Sequence, residues 1–295
     1  MARRIKTKHT MIRRPQRPLR KKQARRKTVL AFYVLLTLFV AVTAVLVVRL
    51  ADYREARQEY AAYQSMDSDG AAAEVAEQAQ AAPPEATAEA AVQAPPAAAP
   101  TPKPFHSPRV DALRKENRDT VGWLDIIGTG MQYPVVQAAD NEYYMARTFQ
   151  KKRNVSGAIF MDCWNAPGFT DFNTVIYGHN MQDGSMFAGL REYRNQKYLD
   201  DHSTIEITLL NKKLRYQVFA AYISQGESDA DFRGQGCVTE EQRAAFIRAA
   251  RRRSTAVHSA VTVSRHDRLL TLVTCTSGTN PWFWVVHAVL VGEQL

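Results

Sequence analysis

The stretch LLTLVTC, Leu269 to Cys275, is a run of apolar and β-branched residues that ends on a cysteine. Leu269, Leu270, Leu272 and Val273, with Thr271 and Thr274, are too apolar for a surface loop and fit a largely buried strand. The next six residues, TSGTNP from Thr276 to Pro281, are turn formers, and FWVVHAVLV from Phe283 to Val291 has the composition of a second strand. Cys275 therefore sits at the mouth of a strand-loop-strand unit, held by a packed scaffold yet next to an open turn. Taken alone, a thiol there is equally well a buried core cysteine.

A second stretch weights the balance toward chemistry. NTVIYGHNMQDGSMF, Asn173 to Phe187, places His179 two residues after another short strand, Thr174 to Tyr177, and directly after a glycine. A cysteine thiol is mostly protonated at neutral pH, and a neighbouring imidazole is the usual means of generating or keeping the thiolate. One Cys and one His, distant in sequence and each at a strand end, are the elements of a cysteine acyl-transfer site. His287 lies within the strand after Cys275 and is the rival partner. Asp162 and Asp171 are candidates to orient an imidazole, although loop carboxylates are more often simply solvated. Cys163 and Cys237 occupy loop-like contexts in which a disulfide is a further option. No Cys/His spacing is that of a structural zinc site, and no cofactor motif is present.

Short strand-like runs punctuated by turns recur outside these two stretches: 122–127, 133–136, 157–161, 204–210 and 214–223. The last two, separated by Asn211-Lys212-Lys213, form a hairpin pattern. Strands at this density predict a mainly β fold, a closed barrel of about eight strands with peripheral helices. Ser107, followed by Pro108, opens a short helix through Asn117. Ser185 to Arg194 carries Met186, Phe187, Leu190 and Tyr193 at helical spacing. Thr239, with Gln242 three residues later, caps a helix through EEQRAAFIRAARRR to about Arg253, with acids at its start and arginines at its end.

The N-terminal part is of another kind. Residues 1–28 form a basic tail whose first 27 residues hold thirteen Lys or Arg and no acid; residues 29–50 follow as an apolar span in which Val29 to Val48 carry no charge. Twenty such residues cross a hydrocarbon core of about 30 Å, and the positive flank places the N-terminus in the cytoplasm and the rest outside. The length of the run and its passage into Arg49 and Leu50 favour an uncleaved signal anchor over a cleavable signal peptide. Without the thirteen tail charges, the formal +10 becomes 26 basic against 29 acidic residues, a net of −3. The basic excess therefore meets membrane lipid headgroups and excludes nucleic-acid binding as a working function. Residues 51–104 are expected to continue as a helix and then become an Ala/Pro-rich linker, too poor in bulky apolar side chains to fold. Residues 105–295 are expected to be one folded domain.

With these motifs in place, the chain resembles the sortases, and among them class B. The residues that carry the resemblance are YGHNM (Tyr177 to Met181) with Met186, Phe187 and Leu190, TLVTC (Thr271 to Cys275), and the strand Val285 to Leu290. Upstream, VGWLDI (Val121 to Ile126), YPVVQ (Tyr133 to Gln137), DNEYY (Asp140 to Tyr144) and GAIFMD (Gly157 to Asp162) also match. The resemblance implies a membrane-anchored cysteine transpeptidase of a Gram-positive-type envelope, single-pass, with its catalytic domain extracellular. Cys275 would be the nucleophile, His179 the general acid/base, and Thr274 a contact to the peptide. Its partners would be secreted proteins with a C-terminal sorting signal, of the Asn-Pro-x-Thr type, and an amine acceptor on a cell-wall precursor or pilin. One position departs from the pattern: the family's arginine, which opens the strand after the cysteine loop, is here Phe283. Asn280, a backbone N–H, Arg265 or Arg268 would then have to supply directed donors to the substrate carbonyl. The alternatives are a sortase-like peptide-binding protein without turnover and a hydrolytic cysteine peptidase.

Overall fold

The computed structural model describes residues 19–66, 104–225, 232–275 and 282–295, with the backbone alone at 19–26, 225 and 275. Its strands are β1 (Thr120–Ile126), β2 (Met131–Val136), β3 (Ile159–Met161), β4 (Asn173–Tyr177), β5 (Thr204–Thr208), β6 (Lys213–Gln225), β7 (Ala256–Val257), β8 (Leu269–Cys275) and β9 (Trp282–Gln294). The helices are α1 (Leu19–Ser65), α2 (Pro108–Glu116), α3 (Gln196–Asp201) and α4 (Glu240–Arg253), with 3-10 turns at Tyr143–Ala146 and Ala188–Arg194.

The strands run in the order β5-β1-β2-β3-β4-β8-β9-β6, and β6 pairs back onto β5. The expected barrel is thus closed by eight strands, and the two-residue β7 is a ninth strand added beside β6. Closure removes the unpaired edges that an open sheet would expose. The expected hairpin of Thr204 onward is the antiparallel β5–β6 pair. Two pairings are parallel, β2–β3 and β4–β8; the second brings together strands more than ninety residues apart in the chain.

Strand β8 is apolar on both faces because both are covered. Leu270 and Leu272 point into the main core, with Ile205, Ile207 and Ile126. Leu269 and Val273 point the other way, into a second cluster with Phe246, Ile247 and Ala250 of α4. A strand buried on both sides reads as a continuous apolar run rather than as an alternation. Helix α4 has the predicted capping box: the Gln242 N–H donates to the Thr239 hydroxyl oxygen (3.3 Å), and the Thr239 N–H donates to Gln242 Oε1 (2.9 Å). Ser107 likewise caps α2, its hydroxyl oxygen accepting from the Val110 N–H.

One expectation is corrected. The helix expected over 185–194 begins at Ala188 and is a 3-10 turn. Met186 has φ of +55°, and the Phe187 N–H donates to the His179 carbonyl (2.9 Å), so 185–187 close a loop onto His179 instead of starting a helix. Residues 51–65, expected as a helix that continues beyond the apolar span, form the last part of α1. The chain divides into two compact units, Met1–Leu50 and Ala51–Leu295, so this part of α1 belongs to the barrel's unit. Ala56, Tyr60 and Tyr63 are buried, and Tyr53 packs against the same core. The Tyr60 hydroxyl donates to the Gly157 carbonyl (2.8 Å), and the Gln150 N–H donates to Glu59 Oε1 (3.0 Å). The remaining linker expectation, 67–103, lies outside the described residues. Among the described residues, one helix is long and apolar enough to cross a membrane, the one running to Ser65 at the N-terminal side.

Under α4 lies a chain of buried polar groups. The Thr271 hydroxyl donates to Asn173 Oδ1 (2.7 Å) and therefore accepts from His287 Nδ1 (2.8 Å), which leaves His287 Nε2 to accept from the Tyr222 hydroxyl (3.1 Å). At the far end, Asn173 Nδ2 donates to the carbonyls of Phe232 and Arg233, each at 3.0 Å. Every member is satisfied, the condition under which a buried polar network specifies a structure. Burial pushes the His287 pKa down from 6.5 to about 3, so the imidazole is neutral and structural. The folded state then resists a proton that the unfolded chain accepts. Stability from this residue is present above about pH 6.5 and is lost as pH falls toward about 3, at up to about 1.4 kcal/mol per pH unit. In urea melts of the detergent-solubilised protein over that window, His287→Gln is expected to lower stability at pH 7 and to show a shallower loss on acidification than the wild type.

Candidate active site

The parallel register of β4 and β8 sets the site. Tyr177 pairs with Val273, and the Gly178 N–H continues the ladder to the Val273 carbonyl (3.1 Å). Two residues past Tyr177 stands His179, and two past Val273 stands Cys275, so both leave the barrel at the same rim of adjacent strands. Neighbouring strands are about 4.8 Å apart, which brings the two backbones within reach of a shared substrate. On the other side of β8, Cys275 pairs with Phe283 and Thr274 with Trp284.

A cavity of about 200 Å³ opens here, lined by Asn141, Met145, Phe160, His179, Arg233, Thr274 and Phe283, among others. Thr274 is buried, and its hydroxyl has no hydrogen-bond partner among the described residues. His179 is half-buried, and its Nε2 lies 2.7 Å from the Met145 carbonyl. Since a carbonyl only accepts, Nε2 carries the proton and Nδ1 is the basic nitrogen of the neutral ring. Neither Asp162 nor Asp171 orients the imidazole. Asp162 is buried and accepts from the Tyr177 hydroxyl (2.9 Å) and Asn141 Nδ2 (3.2 Å), while Asp171 accepts from Asn165 and the Ala166 N–H.

Glycines give the histidine its seat. A Cβ on Gly157, whose φ is +57°, would lie 2.8 Å from the Met145 and Tyr144 carbonyls and 2.9 Å from His179 Cδ2. A Cβ on Gly178 would lie 2.4 Å from Ile159 and 2.7 Å from the Phe187 ring. Only hydrogen fits at either place.

Arg265 and Arg268 are both paired away from the cavity, Arg265 with Glu240 (2.8 Å) and Arg268 with Glu293 and the Phe169 carbonyl. Asn280 lies outside the described residues. The guanidinium that does line the cavity belongs to Arg233, in the loop after β6, a residue without any motif or periodicity to mark it in the sequence. Its Nε–H donates to the Tyr177 hydroxyl (2.9 Å), which in turn donates to Asp162. Desolvation lowers the Arg233 pKa, but Tyr177 and Asp162 together outweigh it and the net direction is up, which keeps the group charged. Burial also pushes the Tyr177 hydroxyl pKa up, so Tyr177 stays a neutral donor.

Cys163 and Cys237 are not bridged to each other. His202 is half-buried, stacks on Tyr198 and is not among the residues lining the cavity. Among the described residues, no group of three His, Cys, Asp or Glu side chains is placed to hold a metal ion.

The family model described as Sortase domain matches residues 124–291, which span the barrel from β1 to β9. The chain belongs to the sortase family. Its similarity is to class B: it is 38% identical over 167 residues to Sortase B of Listeria monocytogenes, covering 55% of this chain and 65% of that relative. It is 33% identical over 171 residues to Sortase B of Staphylococcus aureus, covering 57% and 68% respectively. The chain thus spans about two thirds of the length of these relatives. The solved sortase B–substrate complex of Staphylococcus aureus superposes with a TM-score of 0.59 at 32% identity, over 63% of this chain and 86% of that one.

Gly157→Ala is expected to destabilise the protein by about 1–3 kcal/mol and to break the His179–Met145 contact. Urea melts read the first effect, and the ¹⁵N shifts of the His179 ring read the second.

Proposed function

We propose that this protein is a sortase-type cysteine transpeptidase. The observation that carries the reading is the parallel β4–β8 register, which delivers His179 and Cys275 to one rim beside a cavity of about 200 Å³. Family membership supports the reaction class. The Cys275 thiolate attacks the Thr carbonyl of a sorting signal, and the carbonyl π pair moves onto oxygen. Collapse of that tetrahedral adduct breaks the C–N bond, with His179 giving a proton to the departing amine and a thioester remaining on sulfur. An amine from a cell-wall precursor or a pilin lysine then adds to the thioester. His179 takes its proton, and the thiolate leaves. Thr274 contacts the peptide from the strand that carries the nucleophile.

The apolar segment of α1 supports a single-pass anchor. The thirteen basic residues ahead of it set the N-terminus in the cytoplasm, and the barrel outside, where sorting signals and wall precursors are met. A carbonyl held for attack also needs directed hydrogen-bond donors, and Phe283 offers none.

The test is intact-mass analysis of the protein with a peptide carrying the Asn-Pro-x-Thr pattern, x randomised, with and without triglycine as amine. The wild type is expected to form a covalent acyl adduct that triglycine discharges as a ligated product. Cys275→Ala is expected to form no adduct, and His179→Ala to form it about a hundred to ten thousand times more slowly. An adduct that persists in Cys275→Ala refutes the nucleophile. Free carboxylate with no ligated product makes the protein a hydrolase, and binding without any adduct makes it a peptide-binding module.

A further inference from the structure

Arg233 is built into the cavity by three independent restraints. Its backbone carbonyl and that of Phe232 are held by Asn173 Nδ2, the end of the buried chain that starts at Tyr222 and passes through His287 and Thr271. Its Nε–H is fixed by the Tyr177 hydroxyl. Its guanidinium carbon lies 5.5 Å from the Phe232 ring, and that ring packs against Phe283 with centroids 5.7 Å apart. Phe283 is the residue directly opposite Cys275 in the β8–β9 pair. The fork of Arg233 therefore starts one residue from the ring that touches the position where the family's arginine stands, although it arrives from the loop after β6 and not from β9. Among the described residues it is the single Lys or Arg in the cavity lining.

An arginine in this setting is suited to a carbonyl. The planar group has five N–H donors in fixed geometry; among the described residues Tyr177 takes one, which restrains the plane and leaves other donors available to a ligand. The Phe232 ring beside the guanidinium and Phe283 behind it make one wall of its surroundings apolar. We propose that Arg233 is a catalytic residue that contacts the substrate carbonyl and stabilises the oxyanion formed when Cys275 adds to it, in place of the missing arginine at 283. This rests on the transpeptidase reading above. The competing account makes Arg233 only the counter-ion of the buried Asp162, 3.9 Å away.

The two accounts separate when the guanidinium is moved. The full chain in detergent is assayed with the same randomised Asn-Pro-x-Thr peptide pool, measuring the rate constant of acyl-enzyme formation. Arg233→Ala is expected to lower it about a hundred to a thousand fold. Arg233→Lys, which keeps the charge but not the fork, is expected to recover little. Adding Phe283→Arg to Arg233→Ala is expected to restore at least tenfold, because it returns a guanidinium to the same cavity from the neighbouring strand. Alkylation of Cys275 by iodoacetamide, read by peptide mass, is expected to stay within about twofold in all variants, showing that the thiol's surroundings are intact. Wild-type acylation with an undiminished rate in Arg233→Ala overturns this inference alone. Loss in Arg233→Ala without rescue by Phe283→Arg overturns it in favour of the structural role. Absence of any wild-type acyl-enzyme overturns the transpeptidase reading and this inference with it.

Discussion

The structure depends on one pairing, the parallel contact of β4 with β8 in the register Tyr177 to Val273. Side chains alternate along a strand, so a slip of a single residue would turn Leu270 and Leu272 out of the main core and point Leu269 and Val273 inward. Such a slip is opposed on both faces, by the barrel interior and by α4. The same register that packs the core also decides which residues reach the rim. Stability and chemistry therefore share a single geometric determinant, and residues far from the cavity can affect it by moving either strand end.

The polar chain Tyr222–His287–Thr271–Asn173 is a second link between packing and site. It runs through β6, β9, β8 and β4 and ends on the carbonyls of Phe232 and Arg233. The histidine that rivals His179 in the sequence thus has a role, but a structural one: its ring is a two-sided connector whose tautomer is set by Thr271. Its neutrality follows from complete burial, and a charged ring there would leave an uncompensated cation under α4.

Much of the barrel is legible in the sequence because local pattern and burial agree. β5 alternates buried Ile205 and Ile207 with half-exposed Thr204, Glu206 and Thr208, and α4 carries its own start signal in Thr239 and Gln242. The placement of His179 and Cys275 at strand ends is legible for the same reason. The loop over 185–187 is not, since Met186 and Phe187 have helical spacing while tertiary contact to His179 sets their backbone. Arg233 was hidden because FRG within a polar loop has no periodicity, and its significance arises only where Asn173 and Tyr177 hold it. The buried face of α1 did leave a trace: Tyr53, Ala56, Tyr60 and Tyr63 are spaced three or four apart, a stripe overshadowed by the long apolar run before it.

That stripe changes what a proteolytic cut would do. Residues 51–65 and the barrel from Ser107 onward belong to one unit, so the Ala/Pro-rich segment between them begins and ends on the same body. Cleavage within 67–103 would break the covalent path but leave Tyr60 on the Gly157 carbonyl and Tyr63 hydrogen-bonded to Glu116. Separation of the barrel from the N-terminal apolar segment would then require a second event, the dissociation of a non-covalent interface. The nicked protein would behave as a two-chain complex.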